Sequence, residues 1–372
     1  MDKTHNQLIM RQCIQKVATG PEYSKDLEFE EAKAAMLAIL DGDADPVQTA
    51  IFFIALRMKR ETNEENAGIL QALVETMVKT TASVDEIIDI CDPYDGYTRG
   101  VPASPFIPAV LAALGLNAVS HGLDVVGPKG GATFHKVYKA AGLRVDMTPA
   151  QAAEQIDKIG WGYVDQSQFA PKLHDLIPLR QRIIKRQVLT TVETMLGPIR
   201  GKNKTHLLGG YVHKAYPPIY ESLARHSGFD SAMFVRGVEG GIIPSLQQPG
   251  RLFYYHGDSE LQQRDLSPAD VQIVADKRAV PIPDGLPPAP QGDQIAAQYD
   301  SDALAKVSAD MGKAALAGEK GLMYDSLVYS SAICLTHLGR FDAIDAAANE
   351  VRKVLDDGAA LEKFVAASAA TD

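Results

Sequence analysis

Two short segments hold the residue types that grip an anion. One runs Cys91-Asp92-Pro93-Tyr94-Asp95-Gly96-Tyr97-Thr98-Arg99-Gly100, and the other runs Val235-Arg236-Gly237-Val238-Glu239-Gly240-Gly241-Ile242-Ile243-Pro244-Ser245. Between them lie Ser104, the Ser120-His121-Gly122 run and a Gly127-Pro128-Lys129-Gly130-Gly131 loop. A basic cluster follows: Arg180, Arg182, Lys185 and Arg186, then Arg200, Lys202 and Lys204. Glycines let a ligand approach the backbone, and lysine or arginine supplies the counter-charge. The chemistry suggested is the holding of a small phosphorylated ligand, with Asp95, Gly96, Ser104, His121, Gly122, Lys129, Arg180, Arg186 and Glu239 as candidate contacts.

Each candidate also has a plainer explanation. His121 can be a strand-end histidine bonded to backbone, and Lys129 a solvated loop tip. Ser104 can be a helix N-cap ahead of Phe106, and Asp95-Gly96 a routine turn dipeptide. Glu239 can simply bond its own turn. The basic cluster can be a solvated helix face plus a loop, or the rim of an anion pocket. His213-Lys214, after an expected strand, is as suited to the surface as to a pocket.

The elements that must position these residues are legible in outline. Residues 7 to 82 read as helices. Leu27 to Leu40 has apolar residues at helical spacing and stops at Asp41-Gly42-Asp43, while Asp45-Pro46 starts a second helix. Thr62 and Glu65 form a capping box for a third, ending near Lys79. From Val84 short apolar stretches alternate with glycine turns and helices, the pattern of an α/β domain with a largely parallel sheet. Expected strands are Asn117–Ser120, Trp161–Val164, Thr205–Gly210 and Ser231–Arg236. Expected helices are Phe106–Leu114, Leu179–Met195 and Pro217–Ser227. Ligands of such sheets sit at the carboxyl ends of strands, so the loops after Ser120, Val164, Gly210 and Arg236 are the candidate walls. Residues 280–291 are proline-rich and read as an extended connector, and Asp302 to Ala367 returns to helices with a break at 317–321. The expected division is a helical domain over 1–82, joined by helices within 165–200, and an α/β domain over 83–372.

The 372 residues are 46% hydrophobic and 23% charged, ordinary for a globular protein, with a formal net charge of −10. A globally acidic surface disfavours nonspecific binding to nucleic acid. No apolar run approaches the roughly 18 residues of a membrane span, and the N-terminus lacks the basic-then-apolar order of a secretion signal. The three cysteines, Cys13, Cys91 and Cys334, are widely spaced and odd in number, as expected of reduced thiols in a cytoplasm.

Asp41 to Val74 resembles the N-terminal helical domain of anthranilate phosphoribosyltransferases and of pyrimidine nucleoside phosphorylases. Leu316 to Leu327 and Leu355 to Phe364 resemble the C-terminal helices of the anthranilate enzyme only. Between them, Gly115 to Gly122, Phe169-Ala170-Pro171, Ile177-Pro178-Leu179-Arg180 and Leu196-Gly197-Pro198 fall in the family's order. The resemblance implies a cytoplasmic homodimer built through the N-terminal helices. It also implies transfer of a phosphoribosyl group from phosphoribosyl pyrophosphate to an aromatic, anionic acceptor, with Mg²⁺ on the pyrophosphate.

Departures from the family pattern fall on the anion and metal contacts. The phosphate loop keeps only Asp95-Gly96, with Pro93 and Tyr94 where glycines belong. Of the following Asn-x-Ser-Thr segment only Ser104 survives, and Ser120 replaces the lysine of the Lys-His-Gly motif. Lys129 is retained. The Mg²⁺-binding Asp-Glu pair falls on Ile242-Ile243, which cannot coordinate the ion; Glu239 stands at an upstream acidic position. Arg180 matches the arginine that contacts the anthranilate carboxylate, whereas Arg186 to Glu193 resembles the phosphorylase helix that supplies a pyrimidine-binding arginine. Three functions therefore stand: a transferase of the anthranilate type, a relative that binds another phosphorylated ligand or a nucleic acid through the same cleft, and a nucleoside phosphorylase.

Overall fold

The computed structural model describes residues 3–290 and 297–369. Four helices open the chain: α1 (Lys3–Val17), α2 (Phe29–Leu40), α3 (Pro46–Lys59) and α4 (Asn63–Thr76). The caps expected from sequence set the starts of two of them. Asp45 accepts the amides of Val47 and Gln48 at 2.8 and 3.1 Å ahead of Pro46. Thr62 and Glu65 close a reciprocal box on α4. Glu65 is fully buried and also takes the Leu27 amide and the Lys59 ammonium, each at 2.8 Å, so one carboxylate binds three segments of the lobe. The sequence pattern predicts three helices here; α1 is a fourth, packed on α2 and α3 through Met10, Cys13 and Val17.

A minimal ladder pairs β1 (Thr80–Thr81) with β5 (Ile199–Arg200). The main sheet holds β2 (Glu86–Cys91), β3 (Ala118–Gly122), β4 (Trp161–Asp165), β6 (Lys204–Tyr211), β7 (Ser231–Arg236), β8 (Gly250–His256) and β9 (Gln262–Leu266), in the order β4-β3-β2-β6-β7-β8-β9. Pairings from β4 through β7 are parallel, and β8 and β9 add an antiparallel edge. The central strand β2 is buried on both sides, Asp89 being its one charged interior residue, so both faces are covered. Ile88 and Ile90 join one apolar cluster with the C-terminal helices. Ile87 and Cys91 join a second with α1 to α4 and with Phe169, Leu173, Val188, Leu189 and Val192. The N-terminal lobe and the middle of the chain thus share one core.

The C-terminal helices span Ser301–Leu316, Leu322–His337, Ile344–Asp356 and Ala359–Ala369, the first break falling at Ala317–Gly321 as expected. Trp161 seals the far edge by stacking on Phe364 and donating its indole N–H to the Lys363 carbonyl at 2.8 Å. Residues 280–290 hold no helix but are not extended throughout as expected: the chain turns at Asp284-Gly285, where Gly285 has φ 83°. Val280 accepts the Val101 amide, and Gln291 of the expected connector lies outside the described residues. No described helix is long and apolar enough to cross a membrane.

One expected helix is broken. Leu179 to Met195 divides into a helix over Ile177–Ile183, a turn, and a short helix over Leu189–Val192. Ile184 ends the first piece in a left-handed conformation, φ 64°. The apolar periodicity continued across this point, but helical spacing does not register a single reversed residue. Arg186 consequently leaves the helix axis.

Candidate functional site

The carboxyl ends of β2, β6 and β7 converge on a cavity of about 140 Å³. The strands and the loops after them supply Cys91, Asp92, Pro93, Asp95, Gly210, Tyr211, Glu239 and Gly240. The opposite wall comes from Arg57 of α3, from Arg186, Gln187, Thr190, Thr191, Thr194 and Met195, and from His213, Tyr216 and Tyr220. The site thus lies where the helical lobe meets the sheet, at the strand ends where open α/β sheets take ligands.

An ion-paired cluster frames its mouth. Arg186 donates from Nε and one terminal nitrogen to Asp95 Oδ2, at 3.1 and 2.8 Å. Lys129 Nζ stands 3.3 Å from Asp95 Oδ1 and 3.6 Å from Glu239 Oε2, and it donates to the Gly96 carbonyl at 2.5 Å. Glu239 accepts the Arg99 amide at 2.7 Å and the Thr98 amide at 3.2 Å. Five of the nine candidates therefore meet: Asp95, Gly96, Lys129, Arg186 and Glu239.

The other four lie elsewhere. Arg180 is buried and gives two 2.7 Å hydrogen bonds to Glu193, one to each carboxylate oxygen. Between the two arginines, Arg186 is the one that lines the cavity. Ser104 neither caps a helix nor reaches the cavity; its hydroxyl donates to Asp92 Oδ2 at 2.7 Å. His121 is buried on the helical-lobe side of the sheet, with Tyr94 Oη on Nδ1 and Asp89 Oδ1 3.0 Å from Nε2, outside hydrogen-bonding alignment. Gly122 ends β3 beneath the Tyr163 ring.

The glycines have a use different from the one their sequence context suggests. Tyr97 and Ala132 exchange backbone bonds at 3.0 and 2.9 Å, which crosses the two loops closely. A side chain on Gly96 would stand 2.7 Å from the Gly131 carbonyl carbon, and one on Gly131 or Gly241 would overlap Tyr97. Gly96 also adopts φ 71°, which favours glycine in any case. These glycines admit protein, not ligand, to the backbone.

Asp92 is the hub under the loops. Its carboxylate accepts from Ser104, from Tyr97 Oη at 3.1 Å and from the Ile242 amide at 3.2 Å. Burial pushes its carboxyl up to about 6, opposed by those hydrogen bonds and by Lys129. Sequence reasoning did not single out Asp92; the clue was an aspartate ending an apolar strand run, a position with no room for an unpaired charge.

The basic cluster divides. Arg182, Lys185 and Arg186 are exposed and Arg180 is buried; of the three exposed ones Arg186 lines the cavity, while Arg182 borders an apolar groove on the helical lobe. Arg200 is buried over the Phe229 ring, 4.1 Å from its centroid. Lys204 begins the strand whose far end reaches the cavity, roughly 25 Å away at strand rise. His213 lines the cavity and Lys214 is exposed, so that expected cation pair is also split.

The residues do not suit the Mg²⁺ ion that the family resemblance implies. Ile242 and Ile243 are in the apolar core, 0% and 5% exposed. Of the nearby carboxylates, Asp92 is saturated by three donors, while Glu239 and Asp95 are held by amides or cations. Mg²⁺ on a diphosphate is usually held by one or two protein carboxylates together with the phosphates themselves. The family's pair of positions offers two buried isoleucines instead, and the neighbouring carboxylates are already engaged within the protein.

The lining residues missed by sequence reasoning are the uncharged ones. Gln187 Oε1 and Thr190 Oγ1 are buried polar atoms without a hydrogen-bond partner, and Tyr216 and Tyr220 follow one another on the helix Tyr216–His226. Such orphaned atoms in a cavity wall are partners for a ligand or water.

Comparison with known proteins agrees with this architecture. A family model described as "Glycosyl transferase family, helical bundle domain" matches residues 11–77, and one described as "Glycosyl transferase family, a/b domain" matches residues 101–278. The chain belongs to this glycosyl transferase family. Within it, it is a member of the anthranilate phosphoribosyltransferase-like group. An anthranilate phosphoribosyltransferase of Thermomicrobium roseum is 26% identical, over 94% of each chain. An uncharacterized protein of Aquifex aeolicus is 25% identical, over 93% of this chain and 98% of its own. The anthranilate phosphoribosyltransferase of Saccharomyces cerevisiae, solved with PRPP and Mg, superposes with a TM-score of 0.73 at 16% identity, covering 98% of both chains. That last likeness concerns fold alone.

Proposed function

We propose that this protein is a pentosyltransferase that binds a phosphorylated ribose over Lys129 and the Asp95–Arg99 loop. It passes the pentosyl group to a small planar acceptor seated in the cavity beside Arg186. The observation that carries the reading is the meeting of Lys129, Arg186, Asp95 and Glu239 at the strand ends, around a cavity sized for one ring. Arg186 offers donors, while Gln187 Oε1 offers an acceptor and Thr190 a hydroxyl. A ring with a hydrogen-bond acceptor next to an N–H donor matches that wall. Glycosyl transfer through an oxocarbenium-like state asks mainly for positioning and charge stabilisation, which Lys129 and Arg186 can give to a leaving diphosphate without a metal-binding acid pair.

Titration calorimetry with phosphoribosyl pyrophosphate, with and without Mg²⁺, tests the reading. Binding that is unchanged by chelator supports it. No heat at millimolar ligand removes it.

A second reading, nucleoside phosphorolysis, draws on one specific observation: Arg186, Gln187, Thr190, Thr191 and Thr194 all line the cavity. Release of free base from uridine or thymidine in phosphate buffer would favour it over transfer.

Self-association through the helical lobe belongs to the same proposal. An apolar groove of about 750 Å³ runs along α1 and α3, with Val47, Ile51 and Met58 exposed on its walls. A second copy of the chain would cover it. A cytoplasmic setting is supported by three free, buried cysteines.

A further inference from the structure

We infer that Glu239 is a built-in competing anion: its carboxylate occupies the phosphate-binding nest of this protein, and a phosphate-class ligand binds by displacing it. Consecutive amides of Thr98 and Arg99 point at the carboxylate, at 3.2 and 2.7 Å. The Thr98 hydroxyl lies 3.4 Å and the Lys129 ammonium 3.6 Å from the same group. Successive backbone N–H groups with a lysine beside them make a concavity that favours a negative group. In this chain the negative group comes from the protein, 140 residues further along.

The turn that presents Glu239 is rigid, and the side chain is its movable part. Glu239 itself has φ 57°, an uncommon conformation for a residue with a side chain. The flanking backbone is locked by Val238 N–H to the Ile243 carbonyl at 3.0 Å and Gly241 N–H to the Val238 carbonyl at 3.0 Å. Gly210 and Gly237 pack against the Gly241 carbonyl with no room for a Cβ. Glu239 also lines the cavity, along with Arg57, Arg186 and His213, so a carboxylate displaced from the amides stays beside basic side chains. The anion that enters the nest must outcompete a tethered carboxylate.

The inference rests on the reading that this mouth takes a phosphorylated sugar, and pyrophosphate is the probe that separates the two. Calorimetry at moderate salt should show the Glu239→Ala protein binding pyrophosphate about tenfold or more tightly than the unaltered protein, because one competing charge is gone. Adding Lys129→Met to Glu239→Ala should abolish the gain. Equal or weaker pyrophosphate binding by a cooperatively melting Glu239→Ala protein overturns the inference. If the unaltered protein binds phosphoribosyl pyrophosphate in that case, the transferase reading survives alone. If the Glu239→Ala protein takes pyrophosphate while phosphoribosyl pyrophosphate binds neither form, the nest stands and the transferase reading falls. Should the variant fail to fold, ¹⁵N-threonine and ¹⁵N-arginine labelling of the unaltered protein decides. Pyrophosphate must shift the Thr98 and Arg99 amides, and unmoved resonances at saturating probe overturn the inference.

Discussion

Arg180 and Glu193 face one another through two 2.7 Å hydrogen bonds, and neither side chain is exposed to solvent. The pair links the helix Ile177–Ile183 to the turn Glu193–Met195, and Gln166 adds a third bond to the same carboxylate at 3.1 Å. An arginine so enclosed is scaffold, and the cavity is left to Arg186.

Arg180→Ala should accordingly cost about 3–5 kcal/mol in urea unfolding, because it strands a buried carboxylate. Arg186→Ala should change stability by about 1 kcal/mol or less, since its side chain is 44% exposed and Lys129 still faces Asp95. The same change should weaken ligand binding tenfold or more, on the order expected for loss of a charged hydrogen-bond donor. Reversed outcomes for the two variants would undo the assignment of roles.

Restoring acids at the family's metal positions should not restore a metal site. The double change Ile242→Asp and Ile243→Glu places carboxylates in an apolar core, which should lower stability by about 3 kcal/mol or more. The expected result is a lower melting temperature that added Mg²⁺ does not raise. Recovery of the melting temperature with Mg²⁺ would contradict the unsuitability of the site.

Acid should destabilise the protein through a histidine cluster at the opposite end of the sheet. Ser231 Oγ lies 2.7 Å from His206 Nδ1 and 3.1 Å from His337 Nε2, and His256 stacks on His337 at 4.1 Å. Glu86, itself paired with Arg340, approaches His206, and Asp230 and Lys204 add opposing fields. Burial lowers His206 to about 4 and holds His337 well below its ordinary value. With folded values below the unfolded 6.5, the unfolded chain binds more protons as pH falls. Stability is therefore retained above pH 6.5 and lost as pH drops toward 4, by on the order of 3 kcal/mol for His206. Equilibrium unfolding between pH 7 and 5 should show this slope, reduced in His206→Gln. An unchanged slope would remove the cluster as its source.

The crossing of the two site loops can be tested with paired alanines. Gly96→Ala adds a left-handed strain and a clash with the Gly131 backbone, and should cost about 2 kcal/mol or more. Gly115→Ala has a similar φ of 77° but open space around it, and should cost only about 1–2 kcal/mol. Thermal melts should rank the two in that order, with ligand binding lost only in Gly96→Ala.

Glutamate substitution at Ile51 or Met58 should leave the fold intact, since these side chains are 45% and 79% exposed. It should convert the proposed dimer to monomer in light scattering by burying charge in the covered groove. A monomeric unaltered protein would remove the proposal.

What the chain declared on its own was mostly local or periodic. Asp45-Pro46 and Thr62…Glu65 started helices where expected, because caps act within one turn. The strands ending at Tyr211 and Arg236 were visible as apolar runs, and Ile242-Ile243 could be excluded as metal ligands by residue type alone. Other features depended on groups brought together from far along the chain. Asp95 and Arg186 are 91 residues apart, and Arg99 and Glu239 are 140 apart. No periodicity reports such partners. The glycines of residues 127–131 have a composition that suits a ligand, but the backbone of Tyr97 lies against Gly131; the seven basic residues are close in sequence, but the length of the strand separates Lys204 from Arg186. Spacing along a chain limits what a residue can be, but burial and charge pairing, which settle its use, are properties of the packed molecule.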